Sequence, residues 1–216
     1  YHIKGIGKLK SVKEVEVTDT KIKKTILQAE KVIIATGARN RVIPGLETDD
    51  KRVISYKEAM ILNKIPEKMI IIGAGAIGVE FASIYSEYGT EIHLVEMLPQ
   101  ILPIEDEEIS TILTKQFLDR GIKIHPNTKV EKIESLKTKV KVSISTDGKA
   151  EILEGDIALV AIGVQGNVEN IGLEELGIET EKGWIKVDQF CETNVNGIYA
   201  IGDVIGPPWL AHVASA

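Results

Sequence analysis

Gly73, Gly75 and Gly78 follow the apolar run Met69-Ile70-Ile71-Ile72 and open a helical pattern that begins at Ala76. A G-x-G-x-x-G spacing between strand and helix suits one chemistry, the holding of a dinucleotide pyrophosphate. Gly73 permits a tight reversal, Gly75 lets backbone approach the phosphates, and Gly78 lets the helix pack close against the strand. With Ala74, Ala76 and Ile77 between them, the turn offers free N–H groups at the positive end of a helix. The plainer reading is a strand, turn and helix without a ligand.

Eighteen residues past Gly78, the next strand pattern ends at Glu96, where this architecture places the group that meets the adenosine ribose. A carboxylate there accepts from ribose hydroxyls and repels a 2′-phosphate. At an effective dielectric of ~20 and ~4 Å the repulsion is about 4 kcal/mol before screening. Met97-Leu98-Pro99-Gln100 bring no Arg or Lys to reverse that sign, so NAD is favoured over NADP. Otherwise Glu96 is a solvated acid at a strand end.

The elements that position these groups are legible in outline. Residues 1–37 are β-rich, and 38–46 form a connection. A short helix is expected over 56–62, broken before Pro66. Strand 68–72 is continuously apolar, as a buried parallel strand should be. Helix 76–88 carries Ile77, Phe81, Ile84 and Tyr88 at helical spacing, with Gly89 as its stop. Strand 91–96, helix 105–120 and strand 122–125 follow. The acids Glu105 to Glu108 complement that helix's dipole and are not read as a metal site. Strands 129–133 and 139–145, a turn at Asp147-Gly148 and strand 157–161 come next. A polar stretch over 165–181 leads to Trp184-Ile185-Lys186-Val187.

The chain also repeats itself. Leu27 to Gly37 and Leu153 to Gly163 share a leucine, an acidic turn, an apolar strand and an Ala-x-Gly ending. Each is preceded by short alternating strands. This predicts two related dinucleotide domains, of which only the second has its glycine turn in this sequence. The first would need on the order of 100 residues before Tyr1, on ordinary domain sizes. An internal piece of a longer protein is therefore expected, one that does not start with Met.

Composition sets bounds. With 216 residues, 44% of them hydrophobic, the chain can bury one full domain and part of a second. A formal charge of −6 and no basic cluster beyond Lys21-Lys23-Lys24 argue against nucleic acid and anionic membrane as partners. No apolar run approaches ~18 residues, so a cytoplasmic protein is the expectation. The lone Cys191 excludes an internal disulfide and is read as a packed small hydrophobe. His93, within a strand, and His125, before a proline, receive no catalytic role.

Ala35-Thr36-Gly37, GAGAIGVE, the Ala-x-Gly ending at Gly163 and Thr193 to Asp203, a strand that ends Ile-Gly-Asp, together resemble the two-dinucleotide flavoprotein disulfide reductases over nearly the whole chain. Within that family, Ile101-Leu102-Pro103-Ile104-Glu105-Asp106 and Gly206-Pro207-Pro208-Trp209-Leu210-Ala211-His212 look most like the dihydrolipoamide dehydrogenase branch. The resemblance implies an α/β fold: a Rossmann-like NAD-binding domain with a β-meander at 51–185, and parts of an FAD-binding domain at 1–50 and 186–216. It implies that Asp203 bonds the FAD ribityl chain and that Trp209, Leu210, Ala211 and His212 lie along the flavin. Gly7, Thr36 and Gly37 would lie near the FAD adenosine half. Val130 would pack on the NAD adenine, and Gly163 would stand beside the nicotinamide half. Read as residues alone, Asp203 could be a helix N-cap, Gly7 a bulge and Val130 a core valine.

Glu80 matches a family acid that pairs with a lysine beside the flavin, a supporting role; no catalytic residue falls in this chain. The family's redox cysteine pair and its His-Glu base lie outside it. Alone, the chain is expected to be inactive and to hold FAD weakly or not at all. After Gly163 the family often carries Arg and Pro, whereas Val164-Gln165-Gly166-Asn167 stands here. The parent would oxidise dihydrolipoamide on the lipoyl carrier domains of 2-oxo acid dehydrogenase complexes, pass electrons through a disulfide and FAD to NAD, and form a homodimer. A mercuric reductase, an NADH oxidase, or a stand-alone NAD-binding module without catalysis are the other readings.

Overall fold

The computed structural model describes residues 1–215. In chain order, β1 (Ile6–Ser11), β2 (Glu14–Thr18), β3 (Lys24–Gln28), β4 (Val32–Ile34) and β5 (Ala38–Asn40) come first. Then follow β6 (Val53–Ile54), α1 (Tyr56–Ala59), β7 (Lys68–Ile72), α2 (Ala76–Glu87), β8 (Glu91–Val95), α3 (Glu107–Asp119) and β9 (Lys123–His125). The strands β10 (Thr128–Ser135), β11 (Val140–Thr146), β12 (Lys149–Gly155) and β13 (Ile157–Val160) complete this stretch. The chain ends with β14 (Val164–Gly166), β15 (Thr180–Glu181), β16 (Trp184–Ile185), β17 (Ile198–Ala200) and α4 (Ala211–Ala214).

Two compact units divide the chain, one of residues 1–39 with those from 164 onward, the other Asn40–Gly163. In the latter, five strands form a parallel sheet in the order β6-β13-β7-β8-β9. The apolar run of β7 exists because both faces of the sheet are covered. Met69 and Ile71 point to the helical side, where Val79, Ala82 and Tyr85 of α2 and Phe117 of α3 meet them. Ile70 and Ile72 point to the other side, against Val140, Val142 and Ile144 of β11 and Leu153 of β12. Strands β10, β11 and β12 form the antiparallel meander that makes this second layer. Asp147 and Gly148 both take positive φ in the hairpin between β11 and β12, as a two-residue turn requires.

The other unit repeats the theme in smaller form. A meander β1-β2-β3 precedes β4, which pairs in parallel with β17. Its core joins Leu9, Ile34, Ile198, Ala200 and Val204 to Leu173, Ile178 and Ile185.

Several boundaries differ from the sequence expectation. Residues 164–185, expected in the NAD-binding domain, belong to the first unit, because Leu173, Ile178 and Ile185 bury themselves in its core. Residues 40–50 go the other way: the Asp49 carboxylate accepts from the N–H groups of Lys51, Arg52 and Val53 and leads into β6. The polar stretch 165–181 contains β14 and a 3-10 turn at Glu174–Leu176. Helix α1 stops at Ala59, not 62, and α3 starts at Glu107, since Asp106 is its N-cap and accepts from Glu108 N–H. On α2 the buried stripe is Gly78, Val79, Ala82 and Tyr85; Ile84 and Tyr88 are exposed. Cys191 is half-buried at φ 61°, in a turn where its N–H donates to Asp188 O, and is not a packed core residue.

Ile71 is fully buried in the middle of the parallel sheet. Ile71→Ala is expected to lower the stability of that unit by about 2–5 kcal/mol in chemical denaturation. A loss within ~0.5 kcal/mol, the range of surface substitutions, would contradict the packing described.

Candidate functional site

The glycine turn stands at the carboxyl end of β7, where each glycine has a distinct physical reason. Gly73 has φ 100°, and a Cβ on it would meet the Ala161 carbonyl oxygen at 2.5 Å. A Cβ on Gly78 would lie 1.9 Å from the Gly73 carbonyl oxygen and 3.5 Å from Ile71 Cγ2, so only glycine lets α2 start against the strand end. Gly75 differs: its φ is −71°, and a Cβ there would meet nothing within 4 Å. Among the described residues no atom fills the space that glycine leaves over position 75, so a ligand can approach the backbone there. Gly75 is also the N-cap of α2 and brings no side-chain bond to it. Val79 N–H is bonded to Gly75 O; the amides of Ala76, Ile77 and Gly78 precede it in the first turn, where helical partners are lacking. The site can therefore receive an anion on backbone N–H groups at a positive helix end.

Glu96 ends β8 beside this turn and is buried, 8% exposed, rather than solvated. Its Oε2 accepts from Ala74 N–H at 2.7 Å and its Oε1 from Leu98 N–H at 2.9 Å. The acid thus braces the second residue of the glycine turn while each oxygen keeps a lone pair for a further donor. Nothing in the sequence pattern pointed to this brace, because the amide of residue 74 and the carboxylate of residue 96 meet only through β7–β8 pairing. The turn is tied on its other side by Leu102 N–H, which donates to Ala74 O.

Gly163 follows β13, which neighbours β7 in the sheet, and has φ 96° with open space where a Cβ would lie. The structure thus gathers Gly73 to Gly78, Glu96 and Gly163 at the carboxyl edge of adjacent parallel strands, the edge where open α/β sheets receive ligands. Glu80 lies exposed on α2, and Val130 on β10 is half-buried against the meander core.

The remaining predicted residues fall in the first unit. Thr36 and Gly37 follow β4, and Asp203 follows β17, so both lie at carboxyl ends of paired parallel strands. Asp203 is not a helix cap: it sits inside the 3-10 turn Gly202–Ile205, whose N-cap is Ile201. Its carboxylate accepts no hydrogen bond among the described residues. Gly7 is regularly paired with Val17 in β1; the bulge of that strand falls between Leu9 and Ser11. Leu210 precedes α4, which holds Ala211 and His212 and lies near Asp203, since a Cβ on Gly202 would meet Ala214 Cβ at 3.6 Å. Trp209 is tilted against Trp184, with ring centres 5.3 Å apart.

Asn167, where the expected Arg-Pro pattern is missing, clamps the Thr36-Gly37 turn. Its side-chain amide donates to Thr36 O, its backbone N–H donates to Gly37 O, and its carbonyl accepts from the Thr36 hydroxyl. Arg39 donates to Asn167 Oδ1 and makes two bonds to Glu169, which raise the Arg39 pKa and lower that of Glu169.

The chain belongs to the pyridine nucleotide-disulphide oxidoreductase family, whose profile matches residues 3–216. It is 48% identical over 187 residues to dihydrolipoyl dehydrogenase of Rhizobium etli, covering 86% of this chain and 39% of that protein. It is 44% identical over 214 residues to dihydrolipoyl dehydrogenase of Zymomonas mobilis, covering 99% of this chain and 46% of the relative. Among solved structures, LpdA from Mycobacterium tuberculosis superposes with a TM-score of 0.89 at 30% identity, over 99% of this chain and 47% of that one. The HOCl-induced flavoprotein disulfide reductase RclA from Escherichia coli, as a Cu(II) complex, gives 0.86 at 27% identity, over 98% and 47%. The chain thus spans less than half the length of these relatives. The expectation of the family from the sequence is met. Among the described residues, no helix is long and apolar enough to cross a membrane.

A side chain at position 75 is expected to fill the cleared space without disturbing protein atoms. Gly75→Val should keep the circular dichroism spectrum and weaken NADH binding at least about tenfold, ~1.4 kcal/mol. Unchanged NADH affinity in the folded variant would show that no ligand approaches there.

Proposed function

We propose that this chain is the NAD-binding portion, with parts of the FAD-binding domain, of a dihydrolipoamide dehydrogenase. The observation that carries the reading is the cleared space over Gly75 beside first-turn amides and a braced acid at Glu96. In this reading the pyrophosphate lies over Gly73, Ala74, Gly75, Ala76, Ile77 and Gly78, and Glu96 accepts from the adenosine ribose. Val130 packs on the adenine, Gly163 faces the nicotinamide half, and Glu80 supports the flavin side. Gly7, Thr36 and Gly37 hold the adenosine half of FAD, with Asn167 fixing the last two. Asp203 accepts from the ribityl chain, and Trp209 to His212 run along the flavin. The Asp203 carboxylate, half-buried and accepting no hydrogen bond among the described residues, supports its part, because it is free to accept one from a ligand.

The parent reaction turns the two thiols of dihydrolipoamide into a disulfide and delivers two electrons and a proton to NAD⁺ as hydride, releasing the second proton. Bound FAD supplies the two-electron relay between dithiol and nicotinamide. The residues of this chain bind and orient the nucleotides. They include no cysteine pair, since Cys191 is the only cysteine. The substrate is a lipoyl carrier domain of a 2-oxo acid dehydrogenase complex, the parent is a homodimer, and its setting is the cytoplasm. The identity to two dihydrolipoyl dehydrogenases, well above that to RclA, supports this branch over other reductases of the family.

NAD or NADH is expected to bind at least tenfold tighter than NADPH, about 1.4 kcal/mol, by calorimetric titration. Glu96→Ala should narrow the gap; equal affinity of the unsubstituted chain for both cofactors would overturn the assignment of Glu96. The purified 216-residue chain should also be colourless and without NADH-dependent lipoamide reduction. Stoichiometric flavin or measurable reduction would show that the residues present suffice.

A further inference from the structure

His93 and His125, given no role by the sequence, meet side by side on β8 and β9. His93 Nδ1 and His125 Nε2 are 3.0 Å apart, and the rings lie within 11° of one plane at a centroid distance of 5.2 Å. That is an in-line imidazole–imidazole hydrogen bond, which needs one proton and one lone pair between the two nitrogens. His93 Nε2 faces Glu91 Oε1 at 3.2 Å. Hydrogen bonds from Lys123, Lys68 and His93 hold the Glu91 pKa at about 2, so its carboxylate can only accept. His93 therefore carries its proton on Nε2, its Nδ1 accepts, and His125 Nε2 donates.

The backbone of His125 holds the acid of the nucleotide site. Glu96 N–H donates to His125 O at 2.9 Å, Thr128 N–H donates back to Glu96 O at 2.8 Å, and Asn127 N–H donates to Leu98 O at 3.1 Å. Residues 125–128 thus form a strap over 96–98, the segment in which the Leu98 amide steadies the Glu96 carboxylate that braces the glycine turn. We propose that His93 and His125 are positioning residues for the nucleotide site, seating this strap, and that loading the pair with protons loosens it. The proposal rests on the reading of the glycine turn and Glu96 as that site.

One added proton can be taken up on His125 Nδ1 with the bond intact, or on His93 Nδ1 if the His125 proton moves from Nε2 to Nδ1. A second leaves two N–H groups facing each other at 3.0 Å, and the rings must part. The groups around the pair are Glu91 on β8, Lys68 on β7, Lys123 on β9 and Glu151 on β12. Burial, the largest influence, pushes both imidazoles below their ordinary value; Lys68 and Lys123 act in the same direction, and Glu91 and Glu151 oppose them. The neutral pair is thus the form at neutral pH, and the loosening falls below the usual histidine range.

The test is NAD⁺ binding to the 216-residue chain by calorimetry between pH 8 and pH 5, with His125→Gln alongside. Glutamine places an amide nitrogen where Nε2 stands, can turn its oxygen to meet a protonated His93, and cannot be charged. The unsubstituted chain should hold constant affinity down to about pH 6.5 and lose about threefold or more by pH 5, while His125→Gln stays flat. Constant affinity in the unsubstituted chain, or an equal loss in both, would overturn the proposal. Amide NMR of the free chain gives a second reading: the Glu96 and Thr128 signals should move with the midpoint of the imidazole titration. Amides that stay still while the rings titrate would also overturn it. Failure to bind NAD⁺ at pH 8 would count against the nucleotide reading alone, and the amide signals would still decide the role of the pair.

Discussion

The fold of the larger unit depends on one close approach, that of α2 to the carboxyl end of β7. With a Cβ on Gly78 only 1.9 Å from the Gly73 carbonyl, no other residue lets the helix begin where it does. Everything at that edge follows. The approach sets the line of α2, which puts Val79, Ala82 and Tyr85 on Met69 and Ile71. It also sets the first-turn amides, which lack helical partners, at the carboxyl end of β7. The same glycine thus serves packing and site geometry, and a substitution there affects both.

That approach is held from two sides. On one, the Glu96 carboxylate accepts from Ala74 N–H and Leu98 N–H, joining the ends of β7 and β8. On the other, Ala161 N–H donates to Ile72 O, placing the turn after β13 against Gly73. The meander β10-β11-β12 then covers the face of the sheet that the helices leave open, so the apolar strands stay dry on both sides. A rigid edge of this kind presents backbone donors with little reorganisation on binding, which is what recognition of a phosphate by N–H groups demands.

The parts of this architecture legible in sequence were those written in local pattern. Met69 to Ile72 bounded by Gly73 gave β7, and the acidic turn with an Ala-x-Gly ending gave β4 and β13 as a repeated pair. The meander before each was visible from alternation. Long-range facts were not legible. Leu173 and Ile178 are scattered among acids and glycines in a polar stretch, so their burial with Leu9 and Ile198 leaves no periodic signal that would mark the change of unit at residue 164. Glu96 could be assigned from spacing, but its brace on Ala74 depends on register. The His93–His125 contact joins residues 32 apart through the pairing of Val95 with His125, and the Asn167 clamp on Thr36-Gly37 joins residues 131 apart. The left-handed backbone of Cys191 overrode a composition argument that small apolar residues are packed.

The central claim is that a dinucleotide pyrophosphate lies on the amides that open α2. Titration of NADH into the isotope-labelled chain, followed by amide NMR, tests it residue by residue. The account predicts that the largest shifts fall on Gly75, Ala76, Ile77 and Gly78, with Glu96 and Leu98 next. Saturable binding that leaves those amides unmoved and shifts residues elsewhere would contradict it.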